Sequence, residues 1–250
     1  MTQSDLYIDR ILFTGAIDEQ SYLRGIPSVR WLEREGGLGL NRRVTILIGE
    51  NGSGKSTLLE AVAVAFGFNP EGGTLNFRFS TENSHSELFR HIRLSKRRRP
   101  RDGFFLRAES FYNMATFIDR HDADPDSGSP IIQFFGGTSL HHQSHGESFL
   151  STVQNRLGGH GLYLFDEPES ALSPQNLLTL LAEFHRLVQA DSQILLATHS
   201  PILMAFPDAE ILELNGDGIR PVEYKSTGHY RITKDFLDSP ERMLRYLLSD

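Results

Sequence analysis

The sequence predicts an α/β fold built on a mixed, mainly parallel sheet, with antiparallel strands at the N-terminus and a small inserted lobe. Three observations carry that expectation. Apolar runs at 44–48, 162–165 and 193–197 each end in polar groups suited to chemistry, and segments with helical spacing separate them. Runs of this kind read as strands buried on both faces, and ligands in open α/β sheets lie beyond the carboxyl ends of such strands.

In chain order, residues 6–48 suggest a set of N-terminal strands. The first apolar run then enters GENGSGKST at 49–57, and a helix-like stretch from Thr57 to Phe66 leaves it. Gly49, Gly54, Lys55 and Ser56 match G-x-x-x-x-G-K-[ST], a P-loop, in the strand-to-helix context that the pattern requires. The residue types follow from the chemistry. Glycines let the N–H groups of Asn51, Gly52, Ser53, Gly54 and Thr57 curl around phosphates, Lys55 reaches the β and γ oxygens, and Ser56 offers a hydroxyl to Mg²⁺.

Residues 68–102 break the regular pattern and read as the inserted lobe, which holds no heptads and so no long coiled coil. Its end is basic: Arg90, Arg93, Lys96, Arg97, Arg98, Arg99, Arg101 and, just beyond, Arg107 crowd one segment of a chain whose net charge is −7. Binding to a nucleic-acid phosphate backbone is one reading of this run, and a solvated face or a dock for an acidic partner is the other. GFFLRAESF at 103–111 reads as a strand, and HDADPDSGSP at 121–130 as a solvated loop.

HQSHGESFL at 142–150 looks like surface at first sight. Ser144 followed by Glu147 is a capping box, however, and Phe149, Leu150, Val153 and Leu157 continue with helical spacing to Gly158-Gly159. The segment is therefore expected to be a capped helix start, which favours anions. His141, His142 and His145 have no matched carboxylate or cysteine set, so zinc is not expected there.

In LYLFDEPES, Asp166 and Glu167 stand at a strand end where Asp166 can hold Mg²⁺ and Glu167 can polarise a water. SQILLATHSP places Thr198 and His199 at another strand tip, with Ser200-Pro201 as an expected N-cap and first helical residue. Near the end, Asn215-Gly216-Asp217-Gly218 suggests a hairpin, and Ser239-Pro240 to Leu248 a short helix.

The chain of 250 residues contains no cysteine, so disulfides and thiolate metal sites are excluded and a cytoplasmic setting is expected. The polar N-terminus and the lack of any apolar run near the roughly 20 residues of a membrane span predict neither export nor an integral membrane protein.

The P-loop, the Asp166-Glu167 strand end, ALSP at 171–174 and His199 arrive in one order that resembles an ABC-type ATPase head. The resemblance spans about residues 40–205. ALSP is similar to the family's D-loop and His199 to its switch histidine. The compact form resembles bacterial ATPases labelled "AAA family", relatives of RecF and of structural-maintenance-of-chromosomes heads.

The resemblance implies a P-loop NTPase fold, ATP and Mg²⁺ as cofactors, and ATP hydrolysis with Glu167, His199 and Lys55 catalytic. It also implies that Ser144, Gly146 and Glu147 form a signature facing the ATP of another protomer, giving a head-to-tail homodimer or a pair with a different ATPase. Gln143 and His145 depart from the usual signature, and Glu109 stands where the family places a metal-sensing glutamine. With Ser56 and Asp166, Glu109 completes the expected metal set. The expected setting is DNA repair or defence. The alternatives are the energy subunit of a transporter and a nucleotide-gated regulator of an effector protein. Tyr7, Tyr22 and Trp31 are the aromatic candidates for adenine.

Overall fold

A computed structural model describes residues 6–75, 86–124 and 126–249. Two sheets share the core. Strands β1 (Ile8–Phe13) and β2 (Gly37–Gly39) pair antiparallel, with helix α1 (Pro27–Glu35) between them. β3 (Val44–Gly49) leaves this lobe and enters the main sheet, then delivers the chain to α2 (Lys55–Phe66). Every residue of β3 is buried, as its unbroken apolar run requires.

The segment expected to be a lobe contributes strands to both sheets. β4 (Gly73–Thr74) lies at one edge of the main sheet, while β5 (Ile92–Lys96) pairs antiparallel with β1. Residues 76–85 of that segment lie outside the described residues. β6 (Asp102–Arg107) leads into α3 (Phe111–Ala123), so the predicted loop at 121–130 begins inside a helix. The carboxylate of Asp122 accepts from the Ile131 and Ile132 N–H groups and closes the loop that follows. The two bonds reach across nine and ten residues, so the carboxylate closes a loop rather than a local turn.

α4 (His145–Arg156), β7 (Gly161–Asp166), α5 (Pro174–Gln189), β8 (Gln193–Ala197) and the four-residue α6 (Pro201–Met204) complete the central layers. The expected hairpin is β9 (Glu210–Asn215) and β10 (Gly218–Pro221), and α7 (Gly228–Asp238) and the expected α8 (Pro240–Leu248) end the chain. The main sheet runs β10-β9-β3-β8-β7-β6-β4. From β9 to β6 every pairing is parallel, and the two edge pairings are antiparallel. One apolar cluster joins α3, α4 and α5 to one sheet face; a second joins α1, α2 and the small sheet to the other.

Parallel order aligns the carboxyl ends of β3, β6, β7 and β8 along one rim. Asp166 pairs in register with Ala197 on one side and Arg107 on the other. The functional residues therefore converge because their strands run in one direction, although up to 150 residues separate them in sequence. Among the described residues, no helix is long and apolar enough to cross a membrane.

Candidate nucleotide site

The loop after β3 is fixed by backbone geometry. Gly49, Gly52 and Gly54 have φ of 145°, 80° and 97°, which L side chains rarely adopt. A Cβ at Gly49 would also stand 2.1 Å from the Leu214 carbonyl oxygen. Glycine is thus required twice over at that position. Asn51 and Gly52 lie at the exposed tip, while Ser53 is buried and its carbonyl accepts a 2.7 Å bond from the Ser28 hydroxyl. Ser28 and Ile26 also close over Gly54. No signal in the sequence marks Ser28 for this role.

Lys55 is 4% exposed and donates from Nζ to the carbonyls of Gly49 and Glu50 at 2.9 and 3.2 Å. Burial lowers its pKa, and the carboxylates of Glu167 and Asp166 oppose that shift. Thr57 follows in the first turn of α2, and the Ser56 hydroxyl donates to Asp166 Oδ1 at 2.9 Å. Two hard oxygen donors therefore meet beside the loop, a set that fits Mg²⁺. Among the described residues no group of three histidine, cysteine or acidic side chains could hold a metal.

Asp166 is 6% exposed, and burial pushes its pKa up to about 6 against the pull of Arg107 and Ser56. Arg107 is only 17% exposed. Its guanidinium lies 2.7 Å from Glu60, 3.5 Å from Asp166 and 3.5 Å from Glu109. Although Arg107 adjoins the basic run, it is turned inward, among Glu60, Asp166 and Glu109 at the end of β6. Glu109, 85% exposed, pairs with Arg107. Four of the other cations have partners within the chain, while Arg93, Arg99 and Arg101 are exposed. Arg90 pairs with Glu87, Arg97 with Asp9 and Arg98 with Asp191, and Lys96 lies 4.4 Å from the centre of the Phe66 ring.

Glu167 has φ of 48°, a costly conformation for a non-glycine residue that clusters at functional sites. Its N–H donates to the Ala197 carbonyl, which ties the end of β7 to β8. His199 Nε2 is 3.8 Å from Glu167 Oε1. The backbone N–H of His199 donates to Glu169, and its Nδ1 is 3.2 Å from His229 Nε2 in α7. Glu169 and His229 escaped sequence reasoning, because their contacts span 30 residues of chain. Ser200 stands at the N-cap of α6 but makes no capping bond from its side chain. Its own N–H donates instead to Thr198 Oγ1.

The start of α4 is a complete capping box. The Glu147 N–H donates to Ser144 Oγ, and the Glu147 carboxylate accepts from the Ser144 N–H at 3.0 Å and its hydroxyl at 2.7 Å. These bonds hold the Glu147 carboxyl below its ordinary pKa. Gly146 packs closely on the ALSP segment: a Cβ there would be 3.1 Å from the Ala171 carbonyl and from Asn176 Nδ2. Ser144 and Glu147 are exposed. Of the adenine candidates, Tyr7 is buried with its hydroxyl on the Asp191 carbonyl, Trp31 lies against Gly218, and Tyr22 is exposed.

Comparison with known proteins follows this geometry. Residues 23–122 match a family described as "AAA domain", and residues 138–205 match one described as "AAA domain, putative AbiEii toxin, Type IV TA system". No match was found among curated proteins. A chain of a metal-chelate type ABC transporter in an inward-facing conformation shares the fold at TM-score 0.50 and 15% identity, over 90% of this chain and 87% of that one. The cbiO1 protein of Clostridium perfringens, part of the ABC transporter complex cbiONQ, aligns at 0.49 and 13% identity, over 94% and 97% of the two chains. The SMC head domain from Thermotoga maritima aligns at 0.42 and 18% identity, over 87% and 100%. Two AAA-domain models thus match separate segments that both supply strands to the main sheet, and the chain shares the fold of an ABC transporter chain.

Proposed function

We propose that the chain binds and hydrolyses Mg-ATP, and that two heads close head-to-tail around two nucleotides. The observation that carries this reading is the convergence of Lys55, the Ser56–Asp166 pair, Glu167 and His199 on one rim of the parallel sheet. The P-loop amides and Lys55 hold the β- and γ-phosphates, trading the carbonyls of Gly49 and Glu50 for phosphate oxygens. Ser56 and Asp166 would hold Mg²⁺, which would neutralise charge on the phosphate oxygens. Glu109 acts through Arg107, its neighbour in the structure, rather than as a direct ligand.

Glu167 orients the water that attacks the γ-phosphorus and accepts its proton; the bond from the γ-phosphorus to the bridging oxygen breaks, leaving ADP and phosphate. His199 donates to the γ-phosphate. Ser144 and Gly146 of the opposing head complete the site, and Glu147 holds Ser144 in place. Positive potential at the start of α4 then meets the phosphate that carries the growing charge.

The test is light scattering on Glu167→Gln with and without Mg-ATP. This variant is expected to retain ATP, to lose turnover by about 100-fold or more, and to double in mass. Ser144→Arg should abolish the doubling, whereas a monomer under every condition would reject the paired-head reading. A transporter energy subunit is a second reading, motivated by the fold shared with a transporter chain; copurification with a membrane partner would favour it. DNA as partner would rest on the exposed Arg93, Arg99 and Arg101 together with Arg90 and Arg97, whose surface pairs are weak, whereas Arg107 is engaged inside the rim. Stimulation of ATP turnover by DNA, weakening with salt, is the result that would support it.

A further inference from the structure

The His199 imidazole is held from behind by a second imidazole. Its Nδ1 lies 3.2 Å from His229 Nε2, with ring centres 5.3 Å apart and planes at 54°. His229 is itself firmly placed. It is the second residue of α7, whose N-cap Thr227 is buried, accepts from the Tyr230 N–H and donates to the Tyr224 carbonyl. Tyr230 packs on Tyr224, which fixes the first turn of the helix.

A hydrogen bond between two imidazoles needs one proton between two nitrogens, so the contact selects a tautomer. If His229 Nε2–H donates, His199 Nδ1 is the acceptor and Nε2 carries the ring proton. In the opposite arrangement Nε2 would present a lone pair. Two observations decide between them. His199 Nε2 is buried and has no hydrogen-bond partner, and the nearest charged oxygen is Glu167 Oε1 at 3.8 Å. A lone pair aimed toward a carboxylate is repulsive, whereas an N–H aimed there is attracted and is ready for a phosphate oxygen. Burial and the nearby His199 both lower the His229 pKa, which favours the neutral ring.

We propose that His229 is the positioning residue of His199: it fixes the orientation of the imidazole and places the proton on Nε2, toward Glu167 and the γ-phosphate. This rests on the reading of His199 as the γ-phosphate histidine. It assigns the C-terminal α7 a part in the chemistry that the motif-bearing region lacks.

Nitrogen NMR on protein carrying ¹⁵N-labelled histidine, in the absence of nucleotide, reads the tautomer without any need for turnover. The expected spectrum has a protonated Nε2 and an unprotonated Nδ1 at His199, with a mixture of tautomers in His229→Phe. In ATP hydrolysis, His229→Phe should lower kcat about 10-fold with KM for ATP unchanged, by analogy with the loss of an outer partner of a metal-bound histidine. His229→Gln, whose amide can still donate, should recover most of that loss. A protonated Nδ1 in the wild-type spectrum would overturn the proposal. So would a wild-type kcat in His229→Phe, or equal losses in the Phe and Gln variants, which would assign the ring to packing alone. If the wild-type protein hydrolyses no ATP, the catalytic reading of His199 fails, and the spectrum still decides the role of His229.

Discussion

Asp166 and Arg107 show how single residues set the state of the rim. Burial opposes charge on Asp166, and Arg107 counters it while also serving Glu60, itself only 7% exposed. Arg107→Met would strand two carboxylates, and breaking a buried pair on one side costs about 3 kcal/mol. The expected result is a clear drop in unfolding midpoint in urea, with Arg107→Lys intermediate because it keeps the charge and loses the fork. Unchanged stability in Arg107→Met would show that the cluster is solvated. Lys55→Ala should weaken ATP binding at least about 10-fold, measured with a fluorescent nucleotide, because a charge-assisted phosphate contact is lost. These two residues differ in how far the sequence reveals them. Lys55 sits among glycines whose backbone angles no other residue takes easily, so its role is legible. Arg107 looks like one more member of a basic run. Only the pairing of β6 with β7 shows that it faces Asp166, since charge composition says nothing about which way a strand residue points.

Helix α4 shows the same contrast at the level of an element. Its start is local chemistry, a serine and a glutamate three residues apart, and the structure contains the bonds that this spacing predicts. α1 and α3 carry no such cap: neither has a side-chain bond at its N-cap, and their helical form depends on packing that the sequence does not display. Ser200 stands at the N-cap with proline after it, as its sequence suggests, yet its side chain makes no capping bond on this helix of four residues, and Thr198 accepts instead from the Ser200 N–H. Whether the α4 cap is only structural can be tested by separating its two roles. Ser144→Ala should cost about 1 kcal/mol by loss of the cap. Ser144→Asp keeps a cap acceptor but loses the hydroxyl that donates to Glu147 and brings two carboxylates together, so it should cost about as much as Ser144→Ala. In the Glu167→Gln background, however, Ser144→Asp should fail to double in mass with Mg-ATP, since a carboxylate would face the opposing phosphate. Normal doubling in that variant would leave α4 with a structural role only.

At the scale of the molecule, the two sheets are joined by buried polar contacts that no motif announces. Gln193, fully buried at the start of β8, accepts from the N–H groups of Tyr7 and Ile8 and donates to the Ile8 carbonyl. Gln193→Leu keeps the volume and strands these backbone groups, so a loss of about 3 kcal/mol or more is expected in urea unfolding. Beside it, Asp191 binds Arg98 through both carboxylate oxygens at 2.7 and 2.8 Å and lies 2.8 Å from Arg43, while Arg98 stacks 4.4 Å from the centre of the Tyr7 ring. One carboxylate thus ties the approaches to β1, β3, β5 and β8 together. These contacts hold its carboxyl well below the usual carboxylate range. A depressed folded pKa means that the unfolded chain takes up the proton first, so this contribution is present above the unfolded value near 4 and is lost as pH falls toward the folded one. Asp191 is one-third exposed, so solvent screening reduces the gain, and the hydrogen bonds suggest about 1–2 kcal/mol at pH 7. Asp191→Asn removes the charge but tolerates the left-handed turn, φ 55°, that the residue adopts. The variant should therefore be less stable than wild type at pH 7, and the gap should narrow steadily below about pH 4, followed by thermal unfolding across pH 3–7. A gap independent of pH would mean that the turn, and not the carboxylate charge, is what Asp191 contributes.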